Sequence, residues 1–116
     1  MREGFDVTDL VVTDVGCACT AVAWADARFF DGHFPGDPVL PGVAQLCALV
    51  EPVAQQAWPA LGGLRGASQV KFHRVCRPGE ALTLRCEREG LTVRFTLHAG
   101  DALSSAGTLR FAGREP

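Results

Sequence analysis

Between Gly32 and Gly42 the chain places three prolines and three glycines in eleven residues. Proline lacks the N–H that a helix interior or a central strand requires, so this stretch can be neither. The prolines also restrict the unfolded chain, which lowers the entropy lost when the loop takes one shape. His33 is the second residue of this stiff segment, preceded by the aromatic pair Phe29-Phe30. Pro41 suits a first helical position, where the missing N–H costs nothing. Beyond it Val43, Leu46, Cys47, Val50, Val53, Ala54 and Ala57 recur at helical spacing, one face meant for burial. The pattern predicts a helix from about Pro41 to Ala57, with Pro52 kinking it or marking its last regular turn. His33 is then held on a loop that feeds a helix N-terminus, where free N–H groups and the positive end of the helix dipole lie.

After the turn Trp58-Pro59-Ala60-Leu61-Gly62-Gly63 the period changes from helical to alternating. Val70 and Phe72 oppose Gln69, Lys71 and His73. Leu82, Leu84 and Cys86 oppose Thr83, Arg85 and Glu87. Leu91, Val93, Phe95 and Leu97 oppose Thr92, Arg94, Thr96 and His98, and Leu103, Leu109 and Phe111 form the inner face of a last strand. Arg77-Pro78-Gly79-Glu80, Glu89-Gly90 and Ala99-Gly100-Asp101 are turns at hairpin spacing. Upstream of the loop, Phe5–Val15 and Cys17–Ala25 read as extended segments. One apolar helix and four or five antiparallel strands with one apolar face give an α+β layer, a sheet wrapped over a helix. Residues 1–116 carry no repeat, low-complexity run or linker and are expected to form a single domain.

Apolar residues make up 47% of the chain and charged ones 21%, which suits a globular fold with a core. No run approaches the roughly 20 apolar residues of a membrane span. The start, Met1-Arg2-Glu3-Gly4-Phe5-Asp6, is acidic where a secretory signal would be basic and then apolar, so a cytoplasmic location is expected. The five cysteines include no C-x-x-C pair and are expected to be reduced, small apolar fillers. His73, Cys76, Cys86 and His98 match no zinc spacing, and no metal or other cofactor is expected. The net charge of −2 divides unevenly, −6 over residues 1–63 and +4 over residues 64–116. The cluster Arg65, Lys71, Arg74 and Arg77 offers a surface for an acidic partner, or is simply a solvated strand face. Basic residues without interleaved aromatics in a mildly acidic chain give no sign of nucleic-acid binding.

The run Gly32-His33-Phe34-Pro35-Gly36-Asp37-Pro38-Val39-Leu40-Pro41-Gly42-Val43 resembles the signature of the β-hydroxyacyl-acyl carrier protein dehydratases, which have the hotdog fold. Val70-Lys71-Phe72-His73-Arg74 followed by Arg77-Pro78-Gly79-Glu80 is similar to the strand and turn after that family's central helix. The resemblance implies a long central helix wrapped by an antiparallel sheet, and a dimer in which two sheets join edge to edge and the subunits share their active sites. It implies His33 as base, the Gly42 N–H as donor to the thioester carbonyl, and Phe30, Phe34, Pro35 and Val43 as substrate contacts. An acyl carrier protein or coenzyme A thioester would be the substrate, and Arg65, Lys71, Arg74 and Arg77 would face the carrier. The family's acidic helix residue, five positions after Gly42, is Cys47 here.

The chemistry of those residue types agrees with that assignment up to the acid. Loss of water from a 3-hydroxyacyl thioester needs a base for the C2 proton, an acid for the leaving hydroxyl, and donors for the enolate-like oxygen. Histidine titrates near neutrality and suits the base. A thiol, with an ordinary pKa near 8.5, is a far weaker acid than a carboxylic acid. Glu51 lies one turn beyond Cys47 and is the helix's carboxylate, a candidate substitute acid. Three functions therefore stand open: a dehydratase with an atypical acid, a thioesterase of the same fold, and a non-catalytic acyl-binding subunit paired with a different hotdog chain that supplies the acid.

Overall fold

The computed structural model describes residues 4–24, 42, 45–74 and 76–114. Six strands occur among them: β1 (Phe5–Val12), β2 (Gly16–Ala23), β3 (Leu61–Phe72), β4 (Ala81–Glu89), β5 (Thr92–Ala99) and β6 (Ala102–Gly113). They form one antiparallel sheet in the order β1-β2-β4-β5-β6-β3, so β1 and β3 are its edges. The count is six rather than four or five because both upstream extended segments pair as strands, and β3 is longer than expected, beginning at Leu61 inside the segment read as the helix's exit turn.

Between β2 and β3 lies the helix. Its first described stretch, Gln45–Val50, is a π-helical turn, and it continues as α1, Glu51–Ala57. Pro52 sits in the first turn of α1 and so opens the regular helix instead of ending it. Proline cannot donate to the carbonyl one α-turn back, and the wider π-turn comes directly before that missing bond. The changed winding also changes the buried face. Gln45, Leu49, Val50, Val53 and Ala54 point into the core, Leu46 is half-buried, and Cys47 is exposed.

The sheet presents its apolar face to this helix. Leu82, Leu84, Val93, Leu97 and Leu109 are fully buried with Leu49, Val50 and Val53, a single contiguous core. Burying one such side chain contributes roughly 1.5–3 kcal/mol, and this sum is what holds the helix in the sheet. Four of the five cysteines, Cys17, Cys19, Cys76 and Cys86, are buried with them as expected. Cys17 and Cys86 stand opposite each other on β2 and β4. The Cys86 thiol hydrogen-bonds Cys17, which lowers the Cys17 pKa and raises that of Cys86.

Two edges of the helix are pinned by side-chain hydrogen bonds. At its C-terminal end the buried Trp58 donates Nε1–H to the Thr13 carbonyl, 2.9 Å, in the β1–β2 turn. Along its flank the Leu64 N–H donates to Glu51 Oε2 at 3.2 Å, where β3 slips register against β6 between Leu61 and Leu64. The slip leaves a strand N–H without its ladder partner, and the carboxylate takes it.

Alternation also fails at irregularities in β3 and β6. β3 bulges between Ser68 and Lys71, with Gln69 at φ 56°, and the expected inner pair is displaced: Val70 is half-buried and Phe72 is 49% exposed. β6 shifts against β5 between the pairs Leu97↔Ser105 and His98↔Leu103, so Ser104 and Ser105 are both fully buried while Leu103 is only half-buried. Leu91, expected on the inner face of β5, lies in the β4–β5 turn and is exposed.

Candidate active site

Gly42 is helical and half-buried, three positions before the described run of the helix. A neighbour occupies the place of its side chain: a Cβ built there would stand 2.7 Å from Phe72 Cζ and 2.9 Å from Cε2, so the ring would have to shift to admit one. The Phe72 ring is therefore seated on the glycine, at the end of edge strand β3. Its backbone is set by pairing with Ser105 of β6. The Ser105 hydroxyl donates to Gln45 Oε1 at 2.9 Å, a buried bond from the sheet back to the first described turn of the helix. Sheet end, ring and helix start are thus locked together. This contact was not visible in the sequence, where Phe72 reads only as an inner strand residue.

Beyond β3, Ser104 holds His73 and Arg74, at the start of the segment that leads to β4. Its carbonyl accepts the His73 N–H at 2.7 Å and the Arg74 N–H at 3.3 Å, and its hydroxyl accepts from Arg74 Nη1 at 3.4 Å. Arg74 Nη2 pairs with Glu80 Oε2 at 2.8 Å. That hydrogen bond holds the Glu80 carboxyl below its usual range and pushes the Arg74 guanidinium up. Gly79, at φ 81°, donates its N–H to the Ala23 carbonyl at 3.0 Å and ties the turn to β2. The second sequence motif is accordingly a brace. Of the four residues expected to face a carrier, Arg65, Lys71 and Arg77 are exposed, while Arg74 is occupied by Glu80 and Ser104.

Cys47 is exposed on the helix, not the buried and inert thiol that its apolar neighbours suggested. Partial desolvation, with the Glu51 carboxylate as a second cause, raises its pKa. Glu51, the candidate substitute acid, is engaged by the Leu64 N–H. His33, Phe30, Phe34, Pro35 and Val43 lie outside the described residues. No cluster among the described residues has the makings of a metal site. A groove of about 680 Å³ crosses the sheet over Ala18, Arg85, Thr96 and Ala106, and neither Gly42 nor Cys47 lines it. It runs across the side chains that alternate with buried Cys86 and Phe95, the sheet face turned away from the helix.

A helix laid on an antiparallel sheet of this order is an arrangement that comparison with known proteins can place. The ApeI-like family, described as the ApeI dehydratase, matches residues 13–108. This chain belongs to that hotdog dehydratase family. It is similar to the 3-hydroxyacyl-[acyl-carrier-protein] dehydratase FabZ of Levilactobacillus brevis, 34% identical over 104 residues, covering 80% of this chain and 70% of the relative. The same enzyme of Desulforamulus reducens is 37% identical over 101 residues, covering 76% and 70%. Among solved structures, the dehydratase heterocomplex ApeI:P from Xenorhabdus doucetiae superposes with a TM-score of 0.82 at 23% identity, over 92% of this chain and 96% of that one. A hypothetical thioesterase from Streptococcus pneumoniae, with a TM-score of 0.60 and 12% identity over 98% and 93%, shares the fold. No helix among the described residues is long and apolar enough to cross a membrane.

Proposed function

We propose that the chain removes water from 3-hydroxyacyl thioesters carried by an acyl carrier protein or coenzyme A, giving the 2-enoyl thioester. The observation that carries this reading is the helical Gly42 under the Phe72 ring, in a chain similar to 3-hydroxyacyl-acyl carrier protein dehydratases. The Gly42 N–H, at the positive end of the helix, donates to the thioester oxygen as negative charge develops there. His33 takes the C2 proton. The electron pair of that C–H bond forms the C2–C3 double bond, and the C3–O bond breaks as the hydroxyl receives a proton and leaves as water. Cys47 stands at the position of the group that delivers this proton, in a site shared between two subunits. The substrate belongs to fatty acid or polyketide-type biosynthesis, in the cytoplasm.

A thiol with a raised pKa holds its proton but gives it up reluctantly, so the acid step is the weak one. Two arrangements follow. In a homodimer, activity is low because no carboxylic acid stands at the position of Cys47. In a heterodimer, a second hotdog chain contributes a carboxylic acid. The second is favoured by the likeness to a chain of a dehydratase heterocomplex. Thioester hydrolysis has behind it only a likeness of fold, to a hypothetical thioesterase 12% identical.

The test uses purified protein with 3-hydroxyacyl and saturated acyl carrier protein thioesters, following water loss and free thiol release by mass. Water loss is expected from the 3-hydroxyacyl substrate, without thiol release from either. Cys47→Glu restores a carboxylic acid at the family position and should raise the rate, toward the two to four powers of ten that a general acid typically supplies, about 10²–10⁴-fold. Cys47→Ala should change little, and His33→Ala should be inactive. A folded Cys47→Glu protein with no gain, beside a wild type indifferent to His33→Ala, removes the dehydratase reading.

A further inference from the structure

We infer that Phe72 is a specificity-determining residue of the thioester site, its ring forming the wall against C2 of the acyl group and selecting unbranched chains. The inference rests on the proposal that a thioester carbonyl docks on the Gly42 N–H. Three observations carry it. The ring edge already fills the place of a side chain on Gly42, with Cζ, Cε2 and Cε1 at 2.7, 2.9 and 3.1 Å from a Cβ built there. The ring is nonetheless 49% exposed, the only aromatic among the large apolar side chains left open on the described surface. And the backbone that carries it is anchored. The β3 bulge at Ser68–Lys71 sets its direction, its backbone pairs with Ser105, and Ser105 is bonded to Gln45 of the helix. Bulges characteristically re-aim a side chain beside a functional site.

A carbonyl oxygen about 2.9 Å from the Gly42 nitrogen brings the acyl carbon and its neighbour C2 alongside that ring. An unbranched acyl group presents hydrogens to the ring and gains apolar contact. A methyl group on C2 meets the aromatic carbon seated against Gly42, carried on a strand whose backbone is anchored by the bulge and the pairing with Ser105. Rejection of one methyl group by a fixed apolar wall is typically about 10–200-fold.

The experiment measures binding of 2-butenoyl-pantetheine and 2-methyl-2-butenoyl-pantetheine by calorimetric titration, so that it does not depend on turnover. Wild type is expected to bind the unbranched thioester at least about tenfold more tightly. In Phe72→Ala the ratio should fall to within about threefold, chiefly because the branched ligand gains. Phe72→Leu, which keeps an apolar side chain without a ring, should lie between them and serves if the alanine variant does not fold. An unchanged ratio in a folded variant, an equal loss for both ligands, or a wild type that binds neither thioester overturns the inference. A wild type that binds both with the expected preference but dehydrates no 3-hydroxyacyl thioester defeats the dehydratase proposal and leaves the Phe72 wall standing.

Discussion

Gly42 and Phe72 illustrate how one residue's identity is fixed by another far along the chain. With a Cβ at 2.7 Å from aromatic carbon, Gly42→Ala cannot be accommodated unless the ring moves. The expected cost is that of overpacking, about 1–3 kcal/mol, seen as a lowered thermal midpoint. Phe72→Ala in the same chain should relieve it, so that the double variant is less destabilised than the two single effects added. Strict additivity would mean that the two residues do not touch. The Arg74–Glu80 pair gives a second residue-scale expectation, in pH. The hydrogen bond from Arg74 depresses the folded-state pKa of Glu80, so its stabilisation is complete above the unfolded glutamate value and disappears as pH falls through the folded one. Glu80→Gln should therefore lower the thermal midpoint at neutral pH, and the difference from wild type should close on acidification below the ordinary glutamate range. A difference that persisted there would assign the effect to something other than the charge.

At the scale of elements, Glu51 separates structure from chemistry. Its carboxylate accepts the Leu64 N–H where β3 slips against β6. Glu51→Gln keeps a carbonyl oxygen in place and should retain both stability and any dehydratase activity. Glu51→Ala orphans the strand N–H and should cost about 1–3 kcal/mol in chemical denaturation. Loss of activity in a stable glutamine variant would instead make Glu51 the acid. The same places mark what could be read from the sequence. Strands β4 and β5 were legible because Leu82, Leu84 and Cys86, and then Val93, Phe95 and Leu97, keep a period of two and are buried as that period requires. The helix was legible from its apolar recurrence. The bulges at Ser68–Lys71 and Ser104 were not, because each inserts a residue that no local pattern announces, and with them went the orientation of Phe72 and the burial of Ser104 and Ser105. The π-turn hid in the same way and turned Cys47 outward. Of the site, Gly42 and Cys47 were named by motif. The ring on the glycine and the Ser105–Gln45 bond, both contacts across distant elements, were not.

For the whole molecule the question is what covers Cys47. In the single chain it is the exposed thiol, while Cys17, Cys19, Cys76 and Cys86 are buried, so an aromatic disulfide reagent should react with one thiol per chain well ahead of the other four. Only the thiolate reacts, and desolvation together with Glu51 raises this pKa. Labelling should therefore be slower at neutral pH than for a free cysteine and should accelerate as pH rises through the raised value. The proposed sharing of the site between subunits would add a dependence on concentration. A sheet whose edge strand β3 is open is suited to pair with another copy, and light scattering is expected to give twice the chain mass of 12.3 kDa. If the helix of one subunit faces the site of the other, dimer formation hides Cys47, and its labelling rate should fall as protein concentration rises through the dimerisation range. Cys47→Ala should abolish the fast phase and leave the mass unchanged. A dimer whose fast thiol reacts at the same rate at every concentration would place Cys47 away from the interface. The acid position would then be open to solvent, and neither a homodimer nor a second hotdog chain would complete the site there.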